Sequence, residues 1–153
     1  MVSARNLTKT VIDKNLLKGV AKIVLKGENV ERDKELSIVL VKGTEIKKLN
    51  QKYRKKNQTT DVLAFGENFQ FPISNFQTSL LGEIVICPEK VKKNAKEIGS
   101  TFKKELIFAL IHGILHLLGY EHKKGKKIAK TMEEKTKKYL FQILTSKRLE
   151  FRI

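Results

Sequence analysis

Apolar residues recur at helical spacing over residues 10 to 26, at Val11, Ile12, Leu16, Leu17, Val20, Ile23 and Val24, and the pattern stops near Gly27. It predicts an amphipathic helix. Leu36 to Val41 is a short run rich in β-branched residues, closed by Gly43, and reads as a buried strand. Thr44 to Tyr53 returns to helical spacing, with Ile46 and Leu49 facing inward. Val62 to Phe65 and Leu81 to Ile86 read as two further strands, separated by GENFQFPISNFQTS, a polar and aromatic stretch expected to be a long loop. Pro88 suits the first position of a helix running to about Ile98 and stopped by Gly99. Ser100 or Thr101 can cap the next helix, which is apolar on nearly every side through Leu118, as expected of a helix surrounded by other elements. A charged last helix follows over Lys126 to Leu144. Five helices alternating with three or four short strands predict an α/β or α+β sheet of mixed direction in one domain. No repeat, linker or low-complexity tract divides the 153 residues.

Charge adds a second layer. The formal net charge is +16, carried by 27 lysines and only five arginines. Such an excess favours a polyanionic partner such as nucleic acid, a ribosome or an acidic membrane; a lysine-rich, thermophilic proteome gives the same composition with solvated faces. The lone Cys87 excludes an internal disulfide and fits a reducing compartment. The N-terminus lacks the apolar core of a secretory signal. The most apolar stretch, Leu106 to Tyr120, is shorter than the roughly 20 residues a bilayer requires and carries two histidines. A cytoplasmic protein without membrane attachment is expected.

All three histidines fall in HGILHLLGYEH, residues 112 to 122. Positions i and i+4 share a helix face, so the imidazoles of His112 and His116 can meet one ion. Gly119 can take positive φ, end the helix and turn His122 back towards the same point. Three neutral imidazoles leave a fourth tetrahedral position open, the arrangement of a catalytic zinc site. A histidine in an apolar helix is also commonly a hydrogen-bonded core residue, but the third histidine at this spacing favours one Zn²⁺ per chain. Imidazole also suits Ni, Cu and Fe. The spacing equals the metzincin pattern except that Gly113 stands where those peptidases carry a glutamate base. Glycine cannot take a proton from water, so peptide hydrolysis needs a base imported from elsewhere.

The second informative segment is LNQKYRKKNQTTDVLAFGE, residues 49 to 67. Arg54 sits among Lys47, Lys48, Lys52, Lys55 and Lys56, where a guanidinium fork can hold a phosphate; a lysine-rich helix face is also often merely solvated. Asp61 is expected to cap a backbone turn. Lys123, Lys124, Lys126, Lys127 and Lys130 follow the last histidine and are expected to place positive charge beside the metal, where a phosphodiester needs it.

With Asn50, Tyr53 and Arg54, then TTDVLAF, LGEIVI at 81 to 86 and HGILHLLGYEH, the chain resembles the bacterial YbeY family of endoribonucleases. The resemblance covers residues 49 to 122 most specifically. It implies a mixed, mostly parallel four-stranded sheet surrounded by helices, and a zinc-dependent, single-strand-specific endoribonuclease of 16S rRNA maturation and ribosome quality control. It implies His112, His116 and His122 as ligands and Arg54 as the active-site arginine. Arg54 and His112 are the catalytic candidates, and RNA of the small ribosomal subunit is the expected partner, with no preference for DNA. Two departures from the family pattern stand out: Glu121 where Asp is usual, and Ala64 and Gly66 where Ser and Pro are common. One rival is a peptidase with an imported base. The other is a non-catalytic RNA-binding assembly factor whose metal is structural, with Cys87 or Glu121 as fourth ligand.

Overall fold

The computed structural model describes residues 1–66, 80–120 and 125–146. Its elements run β1 (Val2–Asn6), α1 (Lys14–Gly27), β2 (Glu35–Leu40), α2 (Gly43–Arg54), β3 (Val62–Gly66), β4 (Leu80–Ile86), α3 (Pro88–Glu97), α4 (Phe102–Leu117) and α5 (Lys126–Leu144). The expected mixed sheet with five helices is present. Among the described residues the strands form one sheet in the order β1-β2-β4-β3. β1 and β2, and β2 and β4, pair in parallel; only β3 runs antiparallel, on β4. The long segment expected as a loop, 67–79, lies outside the described residues.

One element boundary and one whole strand differ from the sequence pattern, each for a local reason. α1 begins at Lys14, not near residue 10, because the Asp13 carboxylate accepts from the backbone N–H groups of Asn15 and Leu16 and fixes the N-terminus there. Val11, left ahead of the cap, is exposed. β1 is the strand the hydrophobic pattern did not reveal. It is an edge strand whose VSARN offers one strong apolar residue, Val2, and its backbone pairing with β2 carries the assignment. At α4, Thr101 is the cap, its Oγ1 accepting from Lys104 N–H at 3.2 Å.

The sheet's two faces are covered unequally. One face, with Ile38, Leu40, Ile84 and Ile86, lies in the larger core with α1 and α4, and α5 joins that core against those two helices. The other, with Val39, Val85, Leu63, Phe65 and Cys87, is covered by Ile46 and Leu49 of α2. α4 presses hard on the first face. Its Leu117 sits across Gly82, where an added Cβ would collide with the Leu117 side chain. Gly82 is paired with Gly66 across β3 and β4, so these two strands offer the helix a floor with no side chains in that register. Half of α4 is buried, at Leu106, Ile107, Ala109, Leu110, Ile111, Gly113, Ile114 and Leu115. This is the central helix expected to carry His112 and His116.

Candidate functional site

Among the described residues β3 is an edge strand, and the site lies along that edge. α4 runs beneath it on one face of the sheet, and the C-terminal end of α2 reaches it from the other. Between them opens a cleft of about 640 Å³ lined by Arg54, Lys56, Thr60, Asp61, the β3 residues Val62 to Ala64 and Gly66, and His112, Gly113, His116, Leu117 and Gly119 of α4 and its end.

The two helical histidines converge. Their Nε2 atoms are 2.8 Å apart and their rings meet edge to face, with centroids 4.4 Å apart at 78°. That separation suits an N–H···N hydrogen bond between a donating and an accepting ring. It also suits a shared cation with a small adjustment. Zinc held at about 2.0–2.1 Å by each imidazole sets its two donors roughly 3.3 Å apart at a tetrahedral angle, so side-chain rotation of roughly half an ångström converts the pair. Both rings are half-buried, reach the cleft, and sit on a helix whose other faces are locked in the core. The donor chemistry and the convergence therefore fit a divalent metal. Gly119 has the positive φ expected of it, +100°, and ends the helix. The third expected ligand, His122, lies outside the described residues, as do Glu121, Lys123 and Lys124.

Arg54 faces this pair across the cleft. Its guanidinium Nη2 donates to Ala64 O at 2.9 Å, and its charge lies 5.6 Å from the centre of the Phe65 ring. The partner atom is a backbone carbonyl of the edge strand, so alanine in place of the family's usual serine leaves this contact intact. Below it, Tyr53 and Phe65 pack edge to face at 5.1 Å. The buried Asn50 side chain donates to Gln58 O at 3.0 Å and holds the turn leading into β3. Lys55, in the left-handed conformation at φ +60°, closes α2 directly after Arg54. The motif residues Asn50, Tyr53 and Arg54 thus act together to fix the α2 end against β3.

Other charged residues named from sequence divide sharply. Lys56 lines the cleft beside Arg54, whereas Lys47, Lys48, Lys52 and Lys55 are exposed away from it. Lys126, Lys127 and Lys130 are exposed on α5, and none of them lines the histidine cleft. Lys127 borders a second depression of about 260 Å³ that shares Gly119. Asp61 does cap backbone: its Oδ1 accepts from Val62 N–H at 2.9 Å and from Thr60 Oγ1 at 3.4 Å. It is also the one carboxylate lining the cleft among the described residues. Two sequence-level alternatives lose ground here. Cys87 is fully buried on the α2 side of the sheet, with burial pushing its thiol pKa up, so the sheet separates its sulfur from the histidines. Gly113 packs on the sheet so closely that a Cβ would stand 3.0 Å from Val62 Cγ2 and 3.1 Å from Ile84 Cγ2. A side chain at that position would press on these methyl groups and require them to give by a few tenths of an ångström. Phe108, one helical turn before His112, was not singled out in the sequence; its ring stacks on His112 at 5.9 Å and 18°.

Comparison with known proteins identifies the family. A family model described as Endoribonuclease YbeY matches residues 3–144. An Endoribonuclease YbeY of Thermotoga petrophila is 43% identical over 111 residues, covering 72% of this chain and 69% of the relative. That of Petrotoga mobilis is 35% identical over 137 residues and 90% of each chain. A protein of Thermotoga maritima with a known solution structure superposes with a TM-score of 0.62 at 35% identity, covering 94% of this chain and 89% of that one. With the match spanning both the α2 end and the histidine helix, the chain belongs to the Endoribonuclease YbeY family.

Proposed function

We propose that this chain is an endoribonuclease that cleaves single-stranded RNA at the β3-edge cleft, with a zinc ion held by His112, His116 and His122. The observation that carries the reading is the convergence of the His112 and His116 Nε2 atoms at 2.8 Å on the wall of a cleft that also holds Arg54. When bound, zinc supplies positive charge and Lewis acidity at the phosphodiester. The remaining work falls to the chain. Arg54 offers planar N–H donors to the phosphate oxygens, and its bond to Ala64 O pre-orients the guanidinium, so little side-chain freedom is lost on binding. Lys56 adds a second positive charge on the same side. Gly113 itself brings no side-chain base to the floor, and Asp61, the single lining carboxylate among the described residues, is engaged with backbone. That combination disfavours peptide hydrolysis, which needs a base beside the attacking water, and favours a substrate that brings negative charge to be neutralised. The net charge of +16 suits a polyanionic substrate such as RNA. We assign 16S rRNA of the small subunit as its substrate on the family's role in maturation and quality control. No described helix is long and apolar enough to cross a membrane.

Metal analysis of the purified protein, joined to cleavage assays on single- and double-stranded RNA with and without chelator, tests this reading. One zinc per chain and a single-strand cleavage that chelation abolishes are expected. RNA cleavage by metal-free protein, or a zinc-loaded protein that binds RNA and never cuts it, would overturn it.

A further inference from the structure

Half of α4's residues are buried, and among those that are not, Lys104, Phe108, His112 and His116 form a ridge at i, i+4 spacing. Three of these are polar. The fourth is a phenylalanine that is 39% exposed, the one large apolar side chain of this helix left in solvent. Its neighbours on the helix, Ile107, Ala109 and Ile111, are in the core, so this aromatic ring stands outside a helix that otherwise turns its large apolar groups inward. The ring is nearly parallel to that of His112, inclined by 18° with centroids 5.9 Å apart. The cleft wall therefore continues, past the histidine pair, into an exposed aromatic face, with Lys104 one turn further along.

We propose that Phe108 is a nucleobase-binding subsite: a base adjacent to the phosphate held at His112, His116 and Arg54 stacks on its ring. This rests on the endoribonuclease reading above and adds to it a path for the strand, along α4 towards its N-terminus. Stacking on an aromatic ring is indifferent to which base is presented, because every base has a π-face. It also explains selectivity by strandedness, since a base paired within a duplex has its faces covered by its neighbours and cannot reach the ring. An aromatic side chain suits the role, because it offers a large flat contact with only two torsions to fix. Lys104 lies where the next phosphate along the strand would pass.

The test uses the full-length protein and a short oligoribonucleotide of mixed sequence, with abasic substitutions placed in turn near the cleavage position. Binding is measured in chelator, so that nothing is cut, and kinetics are measured after zinc is restored. Phe108→Leu keeps apolar bulk over His112 but removes the ring, and Phe108→Trp keeps a ring. For the wild type, one abasic position should weaken binding about ten-fold. Phe108→Leu should lose the same ten-fold on intact RNA, and the abasic site should then cost it nothing further; Phe108→Trp should restore the penalty. With zinc content unchanged, the loss should fall on KM and leave kcat close to that of wild type. Phe108→Leu binding intact RNA as tightly as wild type, or suffering the full abasic penalty itself, would overturn the subsite. Cleavage that is indifferent to every abasic position would overturn it too, leaving the endoribonuclease reading in place. Base-dependent binding without cleavage would do the reverse.

Discussion

Two polar clusters flank α4, and they are built on opposite principles. At the β3 edge, His112, His116, Arg54 and Lys56 face a cleft, with their hydrogen-bonding and charge capacity directed at whatever enters. Beside Tyr120, just past the end of α4, Glu28 after α1 meets Lys135 and Tyr139 of α5. Lys135 Nζ stands 2.9 Å from Glu28 Oε2, and Tyr139 donates to the same oxygen. Gly27 makes room for that approach, since a Cβ there would collide with the Tyr139 ring. Burial alone raises the Glu28 pKa, but hydrogen bonds from Tyr139, Lys135 and Tyr120 outweigh it and hold the carboxyl below its ordinary 4.5. Burial and the bond to Glu28 push the Tyr139 hydroxyl up. This second cluster consumes its own donors and acceptors. The difference separates a polar group that holds helices together from one that is held ready by them.

The contrast breaks most visibly at His116. His116→Ala should remove stoichiometric zinc and reduce RNA cleavage by at least about a thousand-fold while leaving a folded protein, because a lost ligand opens the metal site but the ring is only half-buried. Zinc content by elemental analysis and cleavage by gel assay would check it; retained metal and activity sink the ligand assignment. Arg54→Ala should keep zinc and lower cleavage roughly 10²- to 10³-fold, the usual cost of one donor to a developing negative charge. Single-turnover cleavage with saturating protein isolates that step, and unchanged turnover removes Arg54 from the chemistry.

The closed cluster should respond in stability instead. Glu28→Gln should cost about 2 kcal/mol in urea unfolding, less than for a fully buried ion pair because Lys135 keeps a third of its side chain in solvent. Cleavage per folded molecule should not change. The Glu28 pKa is depressed on folding, so its contribution is full above the unfolded value near 4.5 and fades as pH falls through the lower folded value. The gap between wild type and variant should therefore narrow on acidification; a gap that widens contradicts the hydrogen-bond account. Smallest of all, Cys87→Ala should leave zinc affinity unaltered and cost about 1 kcal/mol for a small buried cavity. A lost metal in that variant would revive a thiolate ligand.

Most of the site's logic was visible in residue spacing, because His112 and His116 need only helical periodicity to share a face. Arg54 was visible as a rare arginine, but its placement was not: it depends on β3 being an edge strand, which is a property of strand order. The same holds for Cys87, whose exclusion follows from which face of the sheet it occupies. The lysines after His122 illustrate the opposite error. Proximity in sequence suggested proximity to the metal, whereas none of the described ones, Lys126, Lys127 and Lys130, lines the cleft. β1 escaped the hydrophobic pattern because its pairing is made by backbone, and Phe108 escaped because a phenylalanine in an apolar helix is normally a core residue.

The burial of α4 has a consequence on the time axis. A pair of side chains carried on a loop can be drawn apart by local opening, at little free-energy cost. His112 and His116 are carried by the helix that fills the main core, with Leu117 locked over Gly82. Backbone amides between them should exchange with solvent only through global unfolding, and the spacing of the two rings should persist for as long as the molecule stays native. Any exchange of metal would then proceed through movement of side chains, never through fraying of the helix that bears the pair.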